Sequence, residues 1–186
     1  MLRRLLIVTL SVFAMASATL AAADNPKVRM TTNLGVIDIE LLEKLSPLTV
    51  ANFLGLVDQG FYNGLIFHRV IANFVIQGGG YTPDMQFKSG AKTVPNESFN
   101  GVQNAKGTVA MARLPDPDSA DTQFFINVRD NPNLDAAGQR AGYTVFGRVI
   151  AGMDVVEQIE LVNTHLYQGL SAVPVDPIII EKAERI

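Results

Sequence analysis

Residues 64–80 read GLIFHRVIANFVIQGGG. The run is apolar and bounded by glycines, yet Arg69 stands in its middle. A guanidinium does not shed its proton, and a charge buried without a partner costs several kcal/mol, on the order of the stability of a whole domain. Arg69 is therefore paired, exposed or used. Read with a period of two, Phe67, Arg69 and Ile71 share one face of a strand, and Ile66, His68 and Val70 share the other. The Ala72-Asn73 step turns the chain and resets the faces, which lets Phe74 join Arg69.

Outward from this run the pattern stays strand-like. Lys27 to Leu42 alternates as a β-hairpin around a turn at Asn33-Leu34-Gly35, with Ile37, Ile39 and Leu41 set against Val36, Asp38 and Glu40. SPLTVANFLGLVDQG then reads as an amphipathic helix. Ser46 stands at the N-cap, Pro47 at the first helical position, Val50, Phe53, Leu54 and Val57 at helical spacing, and Gly60 at the stop. The later runs GTVAMAR, TQFFINV and YTVFGRVI are strand-sized and rich in β-branched and aromatic residues. AGMDVVEQIE fits a second helix, and DPIIIEKAERI fits a last strand. Many strands with two helices favour a mostly β fold, a closed barrel with capped ends. Two longer irregular segments, 82–101 and 113–122, are either functional loops or solvated connections.

The chain has 186 residues, 48% hydrophobic and 18% charged, which suits one globular domain. MLRR, the apolar LLIVTLSVFAMA and the Ala21-Ala22-Ala23 pattern read as a signal peptide over residues 1–23, leaving a single domain at 24–186. A retained anchor is the alternative; cleavage would leave no stable membrane attachment. Without Arg3 and Arg4 the 15 Lys and Arg fall to 13, against 18 Asp and Glu, so nucleic acid is not an expected partner. The sequence contains no cysteine, hence no disulfide framework and no thiolate metal site. Export without disulfides suits a periplasm or the cell exterior, and a monomer is the default expectation.

Conventional catalytic constellations are missing. The two histidines, His68 and His165, lack metal-ligand spacing, and no serine sits in a G-x-S-x-G elbow. His68 reads as structural, holding a hydrogen bond on the face opposite Arg69. The QGGG at 77–80 lacks the spacing of a phosphate loop and reads as a turn. Asn96-Glu97-Ser98 fits a glycosylation sequon, a weak pattern. One arginine among apolar and aromatic residues remains, with neutral amides at Gln77 and Gln123, a surface suited to something greasy that carries a carbonyl.

FHRVIANFVIQGG, then GTVAMAR, TQFFINV, NLD and GYTVFGRVIAGMDVVEQI, in this order and spacing, resemble the cyclophilin family of peptidyl-prolyl cis/trans isomerases across essentially the whole chain after residue 23. The leader and the stretch THLYQGLSAVPVDPIII look most like the periplasmic members of Gram-negative bacteria. The resemblance implies a closed eight-stranded antiparallel β-barrel capped by two helices, with a substrate groove on its outer face. It places the catalytic arginine at Arg69. Phe74 and Val75 match the proline pocket, and Gln77 the groove glutamine. Ala112 matches a groove residue, and Arg113 stands where asparagine is common and binds peptide through its backbone. Gln123 and Phe125 match the next wall, and Leu134 a pocket leucine.

Two positions depart from the eukaryotic pattern. Asn133 stands in place of a tryptophan, which weakens the expectation of tight cyclosporin binding, and Tyr143 replaces a histidine while still supplying a ring and a hydroxyl. The resemblance implies no cofactor and no metal, with proline-containing segments of folding exported proteins as the partners. A binding module or chaperone that grips such segments without turnover is the competing reading.

Overall fold

The structure is a computed structural model that describes residues 24–90 and 92–186; the leader expected over residues 1–23 lies outside them. β1 (Lys27–Thr32) and β2 (Gly35–Leu41) form the expected opening hairpin, paired from Lys27 opposite Glu40 to Thr32 opposite Gly35. Period two explains its burial: Ile37, Ile39 and Leu41 face the core, while Asp38 points outward and receives the Arg29 guanidinium opposite it at 2.8 Å.

The helix α1 (Pro47–Asp58) follows, with Val50, Phe53, Leu54 and Val57 buried as their spacing predicts. Its N-terminus departs from expectation. Ser46 makes no side-chain cap; its hydroxyl donates to the Val145 carbonyl at 2.8 Å. The orphan N–H groups of Leu48 and Thr49 are taken by the Glu97 carboxylate, at 3.1 and 2.9 Å. Segment 82–101, read as functional or merely solvated, thus braces a helix at one of its residues.

Six more strands complete the main sheet: β3 (Arg69–Ile71), β4 (Val75–Gly78), β5 (Thr108–Met111), β6 (Phe124–Asn127), β7 (Val145–Ala151) and β10 (Ile180–Arg185). All neighbours are antiparallel, in the order β10-β1-β2-β7-β5-β6-β4-β3. The helix α2 (Met153–Glu160) buries Val156 and Ile159. The mostly β architecture with two helices is therefore as expected, but the sheet is open between β3 and β10, which share no ladder. β3 is three residues long, and the chain ahead of it crosses the gap by the Ile66–Ile179 bridge and the Phe67 N–H to Ile178 carbonyl bond at 2.9 Å.

That irregular approach also breaks the period. Phe67 does not share a face with Arg69; it is fully buried in the main core with Val70, because residues 67 and 68 belong to no ladder. Around it Phe53, Tyr62, Phe124 and Phe146 pack with ring centroids 4.9 to 5.9 Å apart. A second, two-stranded sheet was not anticipated: β8 (Thr164–Tyr167) and β9 (Leu170–Pro174) are joined at Gln168-Gly169, both with positive φ, the conformation of a two-residue hairpin turn. Among the described residues no helix is long and apolar enough to cross a membrane.

Candidate active site

β3 and β4 are paired so that Arg69 lies directly opposite Gln77. The turn between them holds Asn73 at φ 55 and delivers Phe74 beside the arginine, as the reset of faces requires. β4 pairs in turn with β6, placing Phe125 opposite Gln77, and β5 sets Ala110 on the other side of Phe125. Ala112 and Arg113 follow directly from β5, a short turn over Pro132–Leu134 supplies Leu134, and Tyr143 precedes β7.

These residues enclose one cavity of about 240 Å³, lined by Arg69, Phe74, Val75, Gln77, Ala112, Arg113, Phe125, Leu134 and Tyr143. Of the ten positions singled out in the sequence, only Gln123 stands apart; it lines the neighbouring cavities instead. Three of the lining residues, Val75, Phe125 and Leu134, join Ala110 and Val145 in a small buried cluster separate from the main core. The Phe125 and Tyr143 rings meet edge to face at 5.6 Å. A pocket of this size with one rigid aromatic wall suits a small apolar ring.

Arg69 carries the charge at the edge of this pocket. No ion pair among the described residues involves it. Its Nη1 donates to Gln77 Oε1 at 3.1 Å, and Gln77 Nε2 donates to Gln123 Oε1 at 3.0 Å. The reading of Arg69 as one half of a buried salt bridge therefore gives way to a half-buried guanidinium, oriented by a neutral amide and open to a cavity.

Arg113 is held differently. Its guanidinium donates to the carbonyls of Gly142, Leu114 and Ala141 at 3.2, 2.9 and 3.1 Å, and lies 4.7 Å from the centre of the Tyr143 ring. Its donors face the protein itself. Asn133 is exposed and does not line the pocket. His68 is buried with its ring tilted against Tyr81 at 4.6 Å between centroids; its Nδ1 finds no partner among the described residues, while the Ile66 backbone and the Gln123 side chain are the hydrogen-bonding groups beside the imidazole. Burial foremost, then the neighbouring Arg69 charge, pushes its imidazole down to about 4. Asn96 is committed internally: it accepts from Ser98 Oγ at 2.6 Å and donates to the Gly142 carbonyl at 3.1 Å.

Sequence reading missed the amides behind the pocket. Asn131 Nδ2 donates to the Phe74 carbonyl at 2.9 Å and to Asn127 Oδ1 at 2.8 Å, while Asn127 reaches Thr108 Oγ1 at 2.9 Å. Asn104, buried, joins them: its Oδ1 accepts from Asn127 Nδ2 at 3.3 Å and its amide donates to Asp135 at 3.0 Å. This network fixes the backbone that presents Phe74 and Leu134. Asparagines scattered between the end of β6 and two loops give no sequence signal of a shared interior. Among the described residues no group of three His, Cys, Asp or Glu is placed to hold a metal ion.

The family model for the cyclophilin type peptidyl-prolyl cis-trans isomerase matches residues 27–185. A peptidyl-prolyl cis-trans isomerase of Acinetobacter baylyi is 52% identical over 157 residues, 84% of each chain. Peptidyl-prolyl cis-trans isomerase A of Dickeya dadantii is 43% identical over 188 aligned residues, covering 100% of this chain and 99% of the relative. A crystal structure of a cyclophilin type peptidyl-prolyl cis-trans isomerase of Cryptosporidium parvum superposes with a TM-score of 0.72 at 27% identity, covering 87% of this chain and 98% of that one.

Proposed function

The chain belongs to the cyclophilin-type peptidyl-prolyl cis-trans isomerases, a family of enzymes, and from that membership we propose that it speeds X-Pro rotation in exported polypeptides as they fold. It does so as a periplasmic monomer, after removal of residues 1–23, by stabilising the twisted amide without covalent chemistry.

Rotation about a peptide bond faces a barrier of about 18–20 kcal/mol, because the nitrogen lone pair is delocalised into the carbonyl. At an X-Pro bond this makes uncatalysed isomerisation slow, on the order of tens to hundreds of seconds. The reaction needs no proton transfer, only tighter binding of the twisted state than of either planar one. In that state the prolyl nitrogen becomes pyramidal and regains its lone pair. Arg69 donates to it, with a charge that persists at any working pH and donors fixed in a plane.

Phe74, Val75, Phe125, Leu134 and Tyr143 hold the pyrrolidine ring, and their apolar surface lowers the local dielectric, which strengthens the bond from Arg69. Gln77 and Gln123 orient the guanidinium, and Ala112 and Arg113 border the path of the peptide. The observation that carries this reading is an arginine that has no carboxylate partner among the described residues and stands at the edge of a cavity of about 240 Å³ lined in part by Phe74, Val75, Phe125, Leu134 and Tyr143. A protease-coupled assay on a proline tetrapeptide tests it. Arg69→Ala is expected to lower kcat/KM about 100-fold or more, in the range seen when a single electrostatic donor is removed. Equal activity of the two proteins overturns the mechanism.

A further inference from the structure

A second cavity, of about 280 Å³, shares Arg69 and Gln77 with the first. Its other walls come from His68, Tyr81, Gln123 and the hairpin residues Gly169, Leu170 and Ser171. The β8–β9 hairpin reaches this position because β9 packs against β3, the strand that carries Arg69. The tight turn at Gln168-Gly169 brings its tip beside the guanidinium.

The chemistry of this wall differs from that of the proline pocket. Tyr81 and Ser171 bring hydroxyls, and Gln123 has amide N–H donors beyond the oxygen it presents to Gln77. His68 is neutral near neutral pH. Arg69 is the one charged side chain in the lining, and no carboxylate faces it there. A basic group entering this space meets a like charge with nothing to offset it. A carboxylate would pair with Arg69 and draw its donors away from the prolyl nitrogen. A neutral side chain with donors and acceptors satisfies the wall without disturbing the arginine.

A polypeptide with its proline in the first cavity has its prolyl nitrogen at Arg69. One residue of extended chain spans roughly 3.3–3.6 Å, so a residue close to the proline in sequence arrives at the mouth of the second cavity. We propose that this second cavity is a specificity subsite for a residue within two positions of the proline. It accepts neutral hydrogen-bonding side chains such as Gln, Asn, Ser or Thr and turns away Lys and Arg. The proposal rests on the isomerase reading above and extends it to substrate choice.

The test uses proline peptides carrying Ala, Gln or Lys at each position within two residues of the proline, assayed with the wild type and with Ser171→Asp. Ser171 is exposed on the hairpin, so the variant is expected to fold. At one position the wild type should turn over the Gln peptide about fivefold better than the Lys peptide, and Ser171→Asp should raise the Lys-to-Gln ratio there about two- to fivefold, the range of an exposed charge pair, with the gain shrinking in high salt. Equal turnover of Gln and Lys peptides by the wild type at every position overturns the proposal. So does a Lys-to-Gln ratio that Ser171→Asp leaves unchanged. Failure of the isomerase reading itself looks different: no peptide, including the Ala series, is turned over, and the subsite falls with it.

Discussion

Arg69 Nη1 donates to Gln77 Oε1 at 3.1 Å, across two strands that place the two residues directly opposite each other. The acceptor is neutral, so the guanidinium is aimed without its charge being cancelled. Gln77→Ala is expected to leave Arg69 free to rotate and to lower kcat about tenfold, the loss of roughly one hydrogen bond to a charged group in the transition state, with a smaller change in KM. Gln77→Glu separates aiming from neutrality: it keeps a bond to Arg69 but pairs the charge, and kcat should fall as well. Wild-type kcat in Gln77→Glu would show that the neutrality of the acceptor is immaterial.

The chain of bonds from Arg69 through Gln77 to Gln123 depends on a glycine. A Cβ at Gly80 would lie 2.6 Å from Gln123 Cγ and Cδ, so the glutamine side chain occupies the space that a larger residue would need. A Cβ at Gly78 would instead meet Phe67 Cδ1 at 3.0 Å and the Ile66 carbonyl at 3.1 Å, both core neighbours. Gly80→Ala is therefore expected to cost several-fold in kcat/KM with little change in the unfolding midpoint. Gly78→Ala is expected to cost about 1–3 kcal/mol of stability by overpacking. Kinetics and chemical unfolding on both variants check the contrast, and a reversed pattern would reject it.

Arg113 acts on the pocket through Tyr143. The fork donates to the Gly142 and Ala141 carbonyls at 3.2 and 3.1 Å while its Cζ lies 4.7 Å from the Tyr143 ring centre, so one side chain fixes both the loop and the ring. Arg113→Lys retains the charge but loses the planar fork. It is expected to raise KM several-fold while kcat stays close to wild type, because the wall loosens and Arg69 is untouched. Arg113→Lys with wild-type KM would mean that charge alone suffices at this position.

Local patterns made much of this legible. The opening hairpin, both helices and most strands follow from alternation, helical spacing and glycine stops, and nine of the ten residues singled out line one cavity. What escaped was decided by partners distant in the chain. Glu97 caps a helix that begins 50 residues earlier, in place of Ser46, and nothing in Asn96-Glu97-Ser98 announces it. Phe67 turned inward because the ladder starts only at Arg69, a fact set by pairing rather than by composition. The β8–β9 hairpin turns on Gln168, a residue that tolerates positive φ less readily than the Asn or Asp by which such turns are usually read. The gap between β3 and β10 likewise depends on which strands meet, which period two does not encode.

His68 gives the fold a defined weakness to acid. It is 5% exposed, and burial, aided by the adjacent Arg69 charge, pushes its imidazole down to about 4, against about 6.5 in an unfolded chain. Between those values the unfolded chain binds a proton that the folded one refuses, so stability falls as pH drops from about 6.5 to about 4 and loses nothing more from this group below that. A gap of this size corresponds to about 3 kcal/mol. Asp38 acts in a lower window: the bond from Arg29 holds its carboxylate below the usual range, so its contribution is lost only as pH falls further. Urea unfolding at pH 7, 5.5 and 4 is expected to show the decline in the wild type. His68→Gln should flatten the curve over that interval while sharing the steeper loss at lower pH. An undiminished slope in His68→Gln between pH 6.5 and 4 would move the acid sensitivity to another group and reject burial of a neutral His68 as its cause.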